Sequence, residues 1–297
     1  MSMKLDLIVI DGQNDFLASG SEPWNNVGRG SLYVNNADQE ALTVANLIDY
    51  AGCKFTKIHS TLDSHHYNDC SHNVAWRRRD GSIPDIFTLV EPEDIRRRDL
   101  VPAIPFWMWQ GKAIDAVEGA ILYTEALAKR GRNKLCLWPV HCEIGTWGQN
   151  IYQPIRDAYT RWCQQTSRWI DYWTKGAWQW TEHYSAIEAD VPDPTRPETQ
   201  KNAWFIKAMA ATDRAIWTGW AGSHCEKWTA KDAAASFDQP DGSNPFLAKS
   251  TFLTDCCAAV GDQPGSTMFK DWREEFLSEV RSRGATLMTA AEFMQTI

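Results

Sequence analysis

One cysteine, Cys225, stands where a chain could place a nucleophile. It follows an apolar run (215–217) and the small residues of 219–223, and it precedes a run of good helix formers, which predicts a strand, a tight turn and a helix. A thiol in the first turn of a helix faces the positive end of the helix dipole and free backbone N–H groups, and both favour the thiolate. The pattern predicts a nucleophile, although a cysteine taken alone more often simply packs.

Further polar side chains follow other predicted strands: Asp11, the pair Asp63 and His65, and Lys175. Residues i and i+2 of an extended chain point the same way, so Asp63 and His65 can converge on one ion. Taken singly, Asp11 could cap a turn, the Asp-x-His pair could be loop polar groups, and Lys175 could be a surface group. His141 lies next to Trp138 in a loop punctuated by proline and glycine.

The elements that must position these groups alternate along the chain. Six strands are predicted, at 5–10, 54–62, 168–174, 215–217, 251–255 and 285–288, and the first is a near-continuous apolar run. Helical patterns lie at 37–50, 113–130, 149–165, 199–211, 226–234 and 268–283. This alternation predicts an α/β fold: a doubly wound, mostly parallel six-stranded sheet with helices on both faces. Because ligands in such sheets bind at the carboxyl ends of the strands, the polar candidates should gather at one edge.

Composition excludes several classes of protein. The 297 residues suffice for one domain, 1–297, with a substantial core. A net charge of −8 argues against a nucleic-acid or anionic-membrane partner, and the absence of a long apolar run or basic leader predicts a soluble, cytoplasmic protein. The eight cysteines form no CxxC pair, so reduced thiols are expected. No GxGxxG or Walker loop is present, which weighs against a dinucleotide or nucleotide triphosphate enzyme.

A segment at 73–133 interrupts this alternation. It has four prolines, the aromatic tract 105–111 (PFWMWQG), few strand signals and one clear helical pattern. We interpret it as an insertion between core elements. Its role could be a lid over a site, surface decoration or a subunit contact, and the sequence also leaves open whether the protein forms a homo-oligomer.

Five separated motifs together resemble the nicotinamidase (pyrazinamidase) branch of the isochorismatase-like cysteine hydrolases. In the order of that family they are IDGQNDF with Asp11, DSH with Asp63 and His65, LWPVHCEIGTWG with His141, TKGAW…HYSA with Lys175, and GWAGSHCEKWTAKDA with Cys225. They span nearly the whole chain. Metal-free relatives that act on isochorismate, N-carbamoyl or ureido compounds generally lack the WPxHC histidine, so His141 favours the amidase branch.

The resemblance implies the isochorismatase-like hydrolase fold and a role for each group. Asp11, Lys175 and Cys225 would form a catalytic triad. Asp63, His65 and His141 would hold one divalent metal, with Zn²⁺ expected first and Mn²⁺ or Fe²⁺ also compatible with this ligand set.

The resemblance also implies a binding site for the substrate. Phe16 and Trp138 would flank the substrate ring. A cis peptide between Trp220 and Ala221 would aim the N–H groups of Ala221 and Cys225 at an oxyanion. His66, Asp69 and His72 crowd the Asp-x-His loop, so a fourth metal ligand could come from among them.

The expected activity is therefore hydrolysis of a small-molecule amide, with nicotinamide giving nicotinate and ammonia through a Cys225 thioester. Two alternatives stand beside it. A cysteine hydrolase of the same fold could act on a different amide, carbamoyl or ureido compound, since the insertion could redirect the pocket. A catalytically silent relative could serve as a binding module, although such proteins usually lack a nucleophile or a base.

Overall fold

The computed structural model describes residues 3–261 and 266–297. Its strands are β1 (Leu5–Ile10), β2 (Phe55–Asp63), β3 (Trp76–Arg78), β4 (Thr88–Val90), β5 (Leu100–Pro102), β6 (Trp107–Trp109), β7 (Lys112–Ile114), β8 (Leu135–Leu137), β9 (Asp171–Lys175), β10 (Arg214–Gly219), β11 (Ser250–Leu253) and β12 (Thr286–Met288). Its α-helices are α1 (Asn14–Leu17), α2 (Ala37–Ala51), α3 (Pro92–Arg96), α4 (Ala116–Lys129), α5 (Gln153–Thr166), α6 (Ala203–Ala211), α7 (Cys225–Ala235), α8 (Pro245–Ala248), α9 (Met268–Ser282) and α10 (Ala290–Met294).

Six strands form the central sheet in the order β12-β11-β10-β1-β2-β9. Every neighbouring pair is parallel. All six residues of β1 are buried, and because successive side chains of a strand point to opposite faces, both faces of the sheet are covered at this central strand. The predicted doubly wound sheet is confirmed, and its six strands are the six that the sequence predicts.

Three helices begin later than their patterns suggest. Helix α4 begins at Ala116 rather than 113 because the Asp115 carboxylate accepts from the N–H groups of Val117 and Glu118. Helix α6 likewise begins after Asn202, whose side chain accepts from a backbone N–H of its first turn. Helix α5 begins at 153, with a proline in its first turn. None of the helices in the described ranges is both long and apolar enough to cross a bilayer.

The prediction that segment 73–133 has little strand structure was wrong. It contains the five short strands β3 to β7, which pair antiparallel as β3 with β5, β6 with β7, and β4 with β8 just beyond the segment. Each has three residues, too few for an alternating pattern to stand out. The segment has a hydrophobic cluster of its own, separate from the main core, which includes Trp76, Trp107, Tyr123 and Leu127.

Helix α4 approaches strand β6 so closely that one position admits only glycine. A Cβ atom built on Gly119 would lie 2.2 Å from Cβ of Trp107, which is fully buried. We expect Gly119→Ala to lower the free energy of unfolding by about 1–3 kcal/mol, because overpacking outweighs the gain of about 1 kcal/mol in helix propensity. Denaturant titration beside Glu118→Ala, the exposed neighbouring position, measures this. An unchanged or higher stability of Gly119→Ala would contradict the expectation.

Candidate active site

The carboxyl edge of the sheet brings the predicted catalytic groups together. Asp11 follows β1, and Cys225 is the first residue of α7, after β10. Asp63 and Lys175 end the adjacent strands β2 and β9, where they are register partners. All four side chains are buried. The sheet topology, with β10, β1, β2 and β9 side by side, therefore gathers residues that lie far apart in the sequence.

Lys175 is the centre of this group. Its Nζ lies 2.9 Å from Oδ2 of Asp11, 2.9 Å from Oδ1 of Asp63 and 3.5 Å from Sγ of Cys225. The Thr61 hydroxyl donates to Oδ1 of Asp11 at 2.6 Å and accepts from the Asp11 backbone N–H, which fixes that carboxylate. One buried ammonium is thus shared by two carboxylates and the candidate nucleophile.

Burial dominates the protonation of the thiol. It raises the pKa of Cys225 well above its ordinary value; Lys175 opposes this rise, whereas Asp11 and Asp63 add to it. Burial also raises the pKa of Asp11, and the Lys175 ammonium opposes that shift too. The pKa of Lys175 rises despite burial because the two carboxylates favour its charged form. The resting nucleophile is therefore a thiol, not the thiolate that its place at a helix start favours, and it needs a base.

Asp63, His65 and His141 form a second group beside the first. Their candidate ligand atoms lie within 4.8 Å of one another. Nε2 of His65 is 3.1 Å and Nε2 of His141 is 3.5 Å from Oδ2 of Asp63. Nδ1 of His65 bonds to Asp69 at 3.0 Å, and Nδ1 of His141 bonds to the Pro139 carbonyl at 2.9 Å.

These outer contacts suit the ligation of a metal. A carbonyl oxygen can only accept, so Nδ1 of His141 donates a proton there and Nε2 is the ring nitrogen that faces Asp63 and could bind a metal. A histidine whose other ring nitrogen is held by a carboxylate or carbonyl is the usual arrangement around bound metals. Two imidazole nitrogens and one carboxylate fit Zn²⁺, Mn²⁺ or Fe²⁺ and leave coordination positions open.

The three further residues of this loop that could supply a fourth ligand, His66, Asp69 and His72, differ in burial and in hydrogen bonding. His66 is exposed, and Asp69 is occupied with His65 and Ser71. His72 is buried, and its ring centroid lies 5.2 Å from that of His65 and 5.1 Å from that of His141. Its Nδ1 donates to the Tyr67 carbonyl, while its Nε2 has no partner within the described ranges. Of the three, only His72 faces the ligand group with an unused nitrogen.

Both residues expected to flank a substrate line one cavity with Cys225 and two of the expected metal ligands. Phe16 and Trp138 face it together with Cys225, Asp63 and His141. The Phe16 ring meets that of His141 edge to face at a centroid distance of 5.5 Å. The cavity therefore joins the thiol, the metal-ligand group and two aromatic walls.

Three side chains with polar groups also line this cavity, although the sequence reasoning gave them no role: Glu182, Tyr184 and His224. Oε2 of Glu182 is buried without a hydrogen-bond partner in the part of the chain that the structure describes, and burial raises its pKa. Burial, with Lys227, lowers the pKa of His224 to about 3, so its imidazole is neutral. All three lie inside or beside the motifs around Lys175 and Cys225, and that position was the signal that could have identified them.

The turn before Cys225 has the expected geometry. The peptide bond between Trp220 and Ala221 is cis. The Ala221 carbonyl accepts from the N–H groups of His224 and Glu226. Among the hydrogen bonds of residues 3–261 and 266–297, neither the Ala221 nor the Cys225 backbone N–H has a protein acceptor. Both donors are therefore available at the nucleophile.

Fold and site together define an α/β protein with a cysteine, lysine and aspartate centre beside a candidate metal-ligand group. Three solved structures share this fold. Yeast nicotinamidase bound to the inhibitor nicotinaldehyde is 20% identical, with a TM-score of 0.60 over 96% of this chain and 99% of that chain. The Acinetobacter baumanii nicotinamidase pyrazinamidase is 18% identical, with a TM-score of 0.57 over 99% of both chains. PnC1 from L. infantum in complex with nicotinate is 20% identical, with a TM-score of 0.53 over 98% of this chain and 95% of that chain.

The chain has the isochorismatase-like hydrolase fold of these nicotinamidases, with its all-parallel six-stranded sheet. Neither a protein-family model nor a curated protein matches the sequence.

Proposed function

We propose that this protein belongs to the isochorismatase-like cysteine hydrolases and is a metal-dependent nicotinamidase, which converts nicotinamide and water to nicotinate and ammonia. One observation carries the proposal: Asp11, Lys175 and Cys225 line the same buried site as Asp63, His65 and His141. The shared fold with solved nicotinamidases, one bound to nicotinaldehyde, supports the choice of substrate.

In this proposal Asp11 takes the proton of the Cys225 thiol, and the sulfur attacks the carboxamide carbon. The resulting oxyanion accepts from the N–H groups of Ala221 and Cys225, and donors fixed in this way typically contribute about 2.7–4 kcal/mol each to lowering the barrier. Asp11 then gives its proton to the departing ammonia. Asp11 next activates a water that hydrolyses the thioester, while Lys175 holds the carboxylate and the sulfur in place throughout.

Asp63, His65 and His141 would hold the divalent metal. When bound, the metal would supply a Lewis acid to which the pyridine nitrogen of the substrate can bind. Phe16 and Trp138 would flank the ring. Trp138 is kept in position by its indole N–H, which donates to the Tyr184 hydroxyl at 3.1 Å. These contacts orient the carboxamide towards Cys225.

The test is ammonia release from nicotinamide by the purified, metal-containing protein, with benzamide, which lacks the ring nitrogen, as the matched substrate. We expect release from nicotinamide and much less from benzamide. Failure with nicotinamide, followed by activity on a panel of other amides or carbamoyl compounds, would favour the other cysteine hydrolases of this fold. A protein that needs no metal and resists chelators would point to the metal-free relatives.

Substitution of His141 tests the ligand group separately from the chemistry. We expect His141→Ala to lose most of its bound metal and to raise KM, because one of three ligands is removed while the nucleophile is untouched. Metal content by elemental analysis is the measurement, and His66→Ala, at an exposed histidine next to the expected ligand His65, is the control. Unchanged metal stoichiometry in His141→Ala would remove this residue from the ligand set.

The raised pKa of Asp11 predicts where activity is lost in acid. Asp11 must be ionised to act as a base, so kcat/KM should fall as the pH drops through its pKa. Since burial raises that pKa above the ordinary value of 3.8, the acid limb should lie above pH 3.8. A profile of kcat/KM against pH measures it, and a rate that stays level down to pH about 4 would contradict the assignment.

A further inference from the structure

A second cavity, of about 550 Å³, lies between the insertion and the loop that follows Lys175. Helix α4 and residues 108–110 of the β6–β7 hairpin form one side, and residues 178–181 and 191–193 contribute to the other. It has no lining residue in common with the catalytic cavity. Its volume is within the range typical of small-molecule sites, about 300–1,000 Å³.

Tryptophan side chains give this cavity its aromatic walls. Trp109 and Trp178 are half-buried, and Trp180 is buried. The Arg196 guanidinium lies 3.7 Å from the centroid of the Trp178 ring, so one face of that ring is already covered. Trp180 is held by Phe106, at a centroid distance of 5.2 Å. Trp178 and Trp180 are therefore held by protein contacts before any ligand binds, which suits a flat ring.

The acidic groups in this cavity already have partners. Asp193 accepts from the Gly111 N–H at 3.2 Å and from the Thr195 hydroxyl at 2.7 Å, which ties the hairpin to the loop. Glu125 forms an ion pair with Arg96. Arg96 therefore compensates the charge of Glu125, whereas Asp193, whose partners are neutral donors, is held in place but keeps its negative charge.

The cavity also has hydrogen-bond donors and a positive charge that the protein itself does not use. The indole N–H groups of Trp109, Trp178 and Trp180 donate to no acceptor in the described parts of the chain. Lys129, at the end of α4, is exposed and has no ion pair or hydrogen bond there either. A ligand that met these groups would bring acceptors and a negative charge.

We propose that this cavity binds a small planar heteroaromatic anion, with its ring against Trp109 and Trp178 and its anionic group at Lys129. A nucleoside monophosphate and an aromatic carboxylate share this chemistry. The inference goes beyond the proposed function, because it concerns a separate cavity and holds whatever the catalytic site hydrolyses. It also gives the tryptophan-rich segment 105–111 a role that the catalytic groups do not explain.

Isothermal titration calorimetry of the full-length protein with AMP and with nicotinate tests this, with adenosine and inorganic phosphate as the ring-only and charge-only probes. We expect saturable binding of AMP or nicotinate that is at least about tenfold weaker in Lys129→Glu. The same should hold for Trp178→Ala. The control is Lys112→Glu, at an exposed lysine of the β6–β7 hairpin that does not line the cavity. This variant should bind the same anion as tightly as wild type does.

The outcome also identifies the ligand class. Weakening of AMP binding by Lys129→Glu assigns the cavity to nucleotides, and weakening of nicotinate binding assigns it to aromatic carboxylates. If neither anion binds at millimolar concentration, or if both bind equally well to wild type and Lys129→Glu, the proposal is wrong. Because Lys129 is exposed, this variant should fold even if Trp178→Ala does not.

Discussion

Cys225→Ala is expected to reduce turnover of nicotinamide by more than about a thousandfold while the protein stays folded and keeps its metal. Removing the nucleophile from a set of groups that act as a unit eliminates nearly all of their combined effect, and comparable losses on the order of a millionfold are known. The thiol is small and buried beside Lys175, so alanine fits the space. Ammonia release, circular dichroism and metal analysis on the same preparation measure the three properties.

Cys53→Ala is the matched control, because Cys53 is exposed and none of the eight cysteines is in a disulfide. It should retain wild-type activity. Activity of Cys225→Ala above about one per cent of wild type would place the nucleophile elsewhere. Loss of metal or of fold in the same variant would mean that the residue is structural, since Cys225 is not among the three expected ligands.

Lys175→Met should both destabilise the protein and inactivate it. Lys175 is the buried cation between Asp11 and Asp63, and methionine keeps much of its volume but not its charge. Breaking a buried ion pair from one side costs about 3–5 kcal/mol, because the partner charge is left without compensation. The free energy of unfolding, from denaturant titration at neutral pH, should fall by that amount. Hydrolysis should be lost as well, because both the sulfur and the base lose their partner.

The pH dependence of this effect separates charge from packing. As the pH is lowered, protonation of Asp11 removes the uncompensated charge, so the stability difference between Lys175→Met and wild type should shrink. Lys57→Met is the control, since Lys57 pairs with Asp171 at 2.6 Å but is 47% exposed, and such pairs contribute at most about 1 kcal/mol. An equally small loss in Lys175→Met would contradict the central role given to this ammonium.

The insertion shows how far reasoning from sequence periodicity can reach. Its helix, α4, was predicted because Ile114, Val117, Ile121 and Leu127 recur at helical spacing, although the first of these belongs to β7. Its three-residue strands are stabilised by partners elsewhere in the chain, such as β8 for β4, and no local pattern announces them. The three roles that the sequence leaves open for this segment, a lid, surface decoration and a subunit contact, stay predictions.

The sequence alone determined the sheet and the positions of its polar ends. The apolar run before Asp11 is a local signal, because a strand buried on both faces is apolar throughout. The strands before Asp63 and Lys175 are less uniform, but each also ends at its polar residue. The parallel alternation of strands and helices then places those side chains at one edge. The cis peptide after Trp220 and the expected catalytic and metal-ligand groups came from the family resemblance that the motifs carry, and the structure contains this cis peptide and brings these groups together.

Tertiary structure decided what burial and distant neighbours control. The protonation of Cys225 could not be predicted from its helix position, because burial, which raises its pKa, outweighs the opposing effect of Lys175, and the two carboxylates add to the rise. Glu182 and His224 became part of the cavity only when the loops containing them packed against Trp138 and Phe16. The second cavity likewise exists only where α4, the β6–β7 hairpin and the loop after Lys175 meet. Such properties depend on groups that are distant in the chain, so they follow from packing rather than from any local pattern.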